Sequence, residues 1–158
     1  LEPGNYTVVL SGRQSTTGVA LLEVYDVGGD GSHVAAISTR GLVGTGDKAL
    51  IAGFIIGGDK PGRVIVRALG PSLSKSGIDG ALQDPTLNLY DRNGSAIFAN
   101  DNWRSDQEQQ VLGSSIAPAD NRESAIVATL PPGNYTAVVC GRNESTGVAL
   151  VEVYFAGQ

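Results

Sequence analysis

The sequence predicts an all-β fold, and three observations predict it. Its 158 residues include 22 glycines and only 17% charged residues, a balance that favours many short strands joined by tight turns. The apolar residues are mostly Val, Ile, Leu and Ala, and they alternate with polar ones in short runs, the period of two of a half-buried strand. One 26-residue stretch is also present twice: residues 130–155 repeat residues 1–26 without a gap at a constant offset of 129, with 17 positions identical. A chain of this length can bury the core of one domain, or of one domain with an appendage.

The first copy opens on the turn Pro3-Gly4-Asn5. Tyr6, Val8 and Leu10 then alternate with Asn5, Thr7 and Ser11, residues 12–16 form a polar connection, and residues 18–25 return as a second strand. Residues 1–26 thus read as an extra N-terminal β-hairpin, which is marginal alone in water and needs a sheet to dock on. Residues 27–32 read as a Gly-rich linker and residues 33–158 as a β-sandwich domain. Within that domain, strands are expected over 33–39, 49–56, 63–69, 87–90, 95–99 and 123–129, followed by the second copy of the hairpin. In the third of these, Val64, Val66 and Ala68 share one face, with Arg63, Ile65, Arg67 and Leu69 on the other. Residues 41–48 and 57–62 read as turns and 74–84 as loop, while Asp91-Arg92-Asn93-Gly94 carries the Asn-Gly signal of a hairpin turn. Ser105-Asp106-Gln107-Glu108 has capping-box spacing and predicts one short helix near 105–112, ending by Gly113.

Several classes of function are excluded. A net charge of −5 with singly scattered Arg and Lys argues against a nucleic-acid surface. One Cys allows no internal disulfide, and one Cys with one His cannot supply the usual zinc ligands. No apolar run approaches the roughly 20 residues that span a bilayer, and Leu1 opens no signal-peptide pattern. The sequence has no Met, even at position 1, so a processed product or a piece of something longer is expected. The run from Gly41 to Lys48 is not a phosphate-binding loop, because Asp47 separates Gly46 from Lys48 and Ala49 follows. There is no Gly-x-Ser-x-Gly elbow, and the single imidazole, His33, sits beside the linker. Glu23 and Glu152 are equivalent positions of the repeat rather than an acid and a base. Cys140 stands where the first copy has Ser11, which makes it a small residue on a polar-facing side. No enzymatic activity is expected.

The run Asp84-Pro85-Thr86-Leu87-Asn88-Leu89-Tyr90-Asp91, then Asn93-Gly94, Asn100-Asp101-Asn102 and the segment from Leu130 to Tyr135, resembles the bacterial pre-peptidase C-terminal family. Ser38-Thr39-Arg40-Gly41, through Gly70-Pro71-Ser72-Leu73, also looks like modules repeated in large secreted bacterial proteins. Together the resemblance covers about residues 38–154. It implies an antiparallel jelly-roll-like β-sandwich and an extracellular or cell-surface location. Some members of the family bind calcium or matrix proteins such as collagen, but no motif here carries collagen binding over.

The metal candidates are Asn100, Asp101, Asn102 and Asp106, with the Asp91 turn nearby, because calcium prefers carboxylate and amide oxygens clustered on loops. The same Asx residues also stabilise turns without a metal. Trp103 is expected as a lid on the core beside the short helix. Asn5, Asn93, Asn134 and Asn143 each open an Asn-x-Ser/Thr sequence, read here as turn formers. The candidate self-association residues are Tyr6, Val8, Leu10, Val19, Leu21 and Tyr25, six apolar residues of the first copy. The first functional expectation is therefore a structural module whose partners are copies of itself, docked head to tail into a fibre or tandem array. The alternative is an accessory module that binds a glycan or a matrix protein, steadied by calcium; no other cofactor is expected.

Overall fold

The structure, a computed structural model, describes residues 1–27 and 34–156. The chain divides into two compact units, Leu1–Val34 and Ala35–Gln158. The predicted linker, apart from Val27, lies outside the described residues, as does His33.

Among the described residues the larger unit contains eight strands: β1 (Ala36–Val43), β2 (Leu50–Ile56), β3 (Gly62–Leu69), β4 (Pro85–Tyr90), β5 (Ala96–Asn100), β6 (Ser124–Leu130), β7 (Gly133–Gly141) and β8 (Gly147–Phe155). They form two four-stranded antiparallel sheets, ordered β1-β8-β3-β6 and β2-β7-β4-β5. The chain changes sheet at every connection except β4–β5, and this strand order is that of a jelly roll. The fold is an all-β sandwich, as expected.

Alternation decides what each strand buries. Val64, Val66 and Ala68 of β3 point between the sheets, where they meet Leu87 and Leu89 of β4, Ala137 and Val139 of β7, and Val151 and Val153 of β8. Ile65, on the opposite face of β3, belongs to a second core. There Trp103 and Val111 pack with Ala125 and Val127 of β6 on the outside of the first sheet. Trp103 is buried as the sequence suggests, and the Arg104 guanidinium lies 4.0 Å from its ring centroid. The β4–β5 turn is as expected: Asp91 Oδ1 accepts from Asn93 N at 2.8 Å and Ser95 N at 2.9 Å, and Gly94 takes φ 77°.

Five expectations require correction. The last two strands are not a hairpin, since β7 lies in the second sheet and β8 in the first. They form an arch across the sandwich, because a 3-10 turn, Arg142–Glu144, replaces the primed turn that would fold one strand beside the other. The first copy likewise shows no ladder between its arms, which flank the 3-10 turn Arg13–Ser15. β1 begins three residues later than the strand predicted from position 33 and runs through Gly41 to Val43, which were assigned to a turn. The helix near 105–112 shortens to α2 (Glu108–Leu112) and has no capping box, for Ser105 Oγ donates to Asn102 O instead. A second helix, α1 (Pro71–Lys75), occupies the break after β3, with Pro at its first turn.

The two edges of the sandwich differ. On β6, Ala125 N donates to Asn100 Oδ1 at 3.1 Å and Val127 N to Gln107 Oε1 at 2.9 Å, while Gln107 Nε2 donates to Val127 O at 2.8 Å. Two side chains thus take the place of a further strand. No side chain bonds the free edges of β1 and β2 among the described residues.

Candidate functional site

The arch is built the same way in both copies. Gly141 precedes the turn between β7 and β8 because a Cβ there would lie 1.9 Å from Ser145 O, and Gly12 meets Thr16 O at the same distance. Asn143 (φ 51°, ψ 39°) and Gln14 (φ 53°, ψ 39°) take the same left-handed conformation. Tyr135 OH donates to Pro131 O at 2.8 Å, and Tyr6 OH donates to Glu2 O at 2.5 Å. Tyr154 OH donates to Glu152 Oε1 at 3.0 Å, and Tyr25 OH to Glu23 Oε1 at 2.9 Å. Local sequence therefore sets the shape of the arch with or without a sandwich around it.

The surroundings of the two copies differ. Glu152 also accepts from Arg67 Nε at 2.9 Å and Ser38 Oγ at 3.2 Å, in an ion pair largely shielded from solvent. Arg67 in turn donates to Ile116 O and sits 5.2 Å from the Tyr154 ring centroid. Burial and the Glu152 charge raise the Tyr154 pKa. In the first copy, the hydrogen bond to Glu23 and its charge raise that of Tyr25, and no cation joins them in the contacts described.

Tyr6, Val8 and Leu10 correspond to Tyr135, Ala137 and Val139, which face the core. Val19, Leu21 and Tyr25 correspond to Val148, Leu150 and Tyr154, which are half-buried on the other face of β8. The core-facing positions of the second arm are Ala20, Leu22 and Val24, matching Ala149, Val151 and Val153. Sequence reasoning passed over that face, though the parity of Glu23 marked Leu21 and Tyr25 as its neighbours. Val8 is 60% exposed and Leu22 50%, whereas Ala137 and Val151 are fully buried.

The metal candidates are already engaged in bonds within the protein. Asn100 Oδ1 accepts from Ala125 N, and Asp101 Oδ2 accepts from Arg142 Nη1 at 2.6 Å and from Asn102 Nδ2 at 3.1 Å. Asp106 is exposed. Among the described residues no three His, Cys, Asp or Glu side chains form a group that could hold a metal ion. Asp84 Oδ1 and Asp101 Oδ1 are buried without a protein partner, and both residues contact Arg142.

Glu123, assigned in the sequence only as the start of a strand, is fully buried. Its Oε1 accepts from Gly70 N at 3.0 Å, Ser72 N at 2.9 Å and the Ser72 hydroxyl, and its Oε2 from Asp120 N at 3.2 Å. These bonds tie α1 to the loop before β6, so the carboxylate is committed to structure. An open groove of about 400 Å³ beside the Asp91 turn is lined by Tyr90, Arg92, Asn134, Thr136 and Val138.

No family model matches the chain. No curated protein matches it either. Among solved structures, it is similar to the pre-peptidase C-terminal domain of a collagenase from Bacillus anthracis, at 13% identity and a TM-score of 0.46, over 74% of this chain and 87% of that one.

Proposed function

We propose that the protein is a non-catalytic structural module of the extracellular space or cell surface. In this reading copies join head to tail, residues 1–26 of one docking on the sandwich of the next. The supporting observation is the arch formed twice, once with its apolar side buried in a sandwich and once with the same side exposed. Burying apolar surface is the main favourable term in association, and an arch already in the bound shape loses little further conformational freedom on docking. Light scattering across a wide concentration range tests the reading. Particle mass should rise with concentration in the full chain and stay at that of the monomer after deletion of residues 1–26. A monomer at every concentration, or assembly unaffected by the deletion, would refute it.

A second reading, an accessory binding module steadied by calcium, draws support from the two unpartnered carboxylate oxygens at Asp84 and Asp101. It requires binding to a glycan or matrix protein on an array, and a melting temperature that drops when a chelator is added.

A further inference from the structure

We propose that the arch docks on the free edges of β1 and β2 in a second copy, residues 5–11 lying beside β2 and residues 18–25 beside β1. This rests on the head-to-tail reading above and says where the joint is made.

The ladders show which backbone groups are free. Phe155 N donates to Ala35 O at 3.0 Å, so by antiparallel alternation Ile37, Thr39 and Gly41 bond to β8. Ser38, Arg40 and Leu42 therefore aim their N–H and C=O groups away from it. Arg142 N donates to Asp84 O at 2.9 Å, so Thr136, Val138 and Cys140 bond to β4. That leaves Tyr135, Ala137 and Val139 for β2, where they face Phe54, Ala52 and Leu50. Ile51, Gly53 and Ile55 consequently present their backbone groups to the open side.

β1 carries one charge on this side, Arg40, but β2 is unguarded. β2 has no charged residue and no Pro in seven positions, and Ile51 and Ile55 are more than half exposed. Such a strand is a template for another chain. The opposite edge has the Asn100 and Gln107 caps on β6 and only a five-residue strand in β5.

The occupant is argued from shape. β1 and β2 are consecutive strands in opposite sheets, and they touch across the sandwich. β8 pairs with β1 and β7 with β2, both antiparallel, so one arch already spans this pair of strands from the inner side. The first copy has the same turn and the same tyrosine bonds, the local features that shape the resident arch.

Exchange into the inner slot is disfavoured by volume. Val8 would replace Ala137, Leu10 would replace Val139 and Leu22 would replace Val151, and all three resident side chains are fully buried. These three changes are each to a larger residue, and overpacking a filled core costs about 1–3 kcal/mol per site. The open edges set no such limit.

The test uses the full chain. Ile51→Lys with Ile55→Lys places two charges on the outward side of β2 without entering the core, and Gly53→Pro removes an edge N–H. Both should weaken association about tenfold or more while the far-UV circular dichroism and melting temperature of the sandwich stay near wild type. In a Cys140→Ser background, Leu21→Cys with Leu69→Cys should give no disulfide ladder between chains, because Leu69 of β3 faces Leu150, the counterpart of Leu21, and β8 and β1 stand between it and the open edge. Undiminished association of the folded edge variants, or a ladder from the cysteine pair, overturns the edge assignment and leaves head-to-tail assembly standing. A wild-type chain that stays monomeric sinks both.

Discussion

At the scale of single residues, the sandwich depends on a few carboxylates whose acceptor capacity is taken up by backbone. Glu123 is the clearest, since α1 and the loop before β6 are both fastened to it. In Glu123→Gln one oxygen becomes an NH2 group that must face a buried donor. The loss should be about 1–3 kcal/mol of unfolding free energy in urea, with an unchanged denaturant slope. Asp120 sets a pH dependence. Side-chain hydrogen bonds from Arg122, at 2.9 and 3.0 Å, hold its carboxyl down at about 2. The unfolded value is about 3.9, so the ionised form contributes stability above roughly pH 4, and this is lost as pH falls through about 2. The stability difference between wild type and Asp120→Asn should be constant above pH 4 and shrink toward pH 2. A difference that does not change with pH would show that Asp120 gains nothing from Arg122 in the fold.

At the scale of elements, the arch turn is the point where one glycine decides the path of two strands. Gly12→Ala and Gly141→Ala meet equivalent backbone oxygens, of Thr16 and Ser145, at the same distance, yet their effects should separate. Gly141→Ala should destabilise the sandwich by about 1–3 kcal/mol, because β7 and β8 are inner strands of both sheets. Gly12→Ala should leave thermal melting of the sandwich unchanged and reduce association. Equal effects of the two on melting would deny the separate roles. Alternation made the strands and their buried faces legible in the sequence, as with Val64, Val66 and Ala68, and the Asn-Gly turn marked the hairpin at β4–β5. The same signals could not distinguish arch from hairpin, because both need two apolar strands and a polar turn, and the difference lies in which sheet receives the second strand. The caps from Asn100 and Gln107 were equally hidden, since an amide side chain in a loop carries no mark of the edge it will cover.

At the scale of the whole molecule, the inferred joint is heterologous: an arch on one copy meets an edge on the next, and neither surface pairs with itself. Contacts of this kind leave a free arch at one end of every chain and a free edge at the other, so growth continues unless rotation closes a ring. The unit Ala35–Gln158 contains both sheets and both cores. A chain lacking residues 1–26 should therefore fold and accept an arch while having none to give. Each truncated molecule then ends a filament. With tight binding and equimolar mixing, every arch is satisfied and the mean assembly falls to about two subunits, whereas substoichiometric addition gives proportionately longer ones. Sedimentation velocity on a mixing series reads this directly. A mean mass that ignores the truncated chain would mean that the arch and edge are not the two halves of the joint.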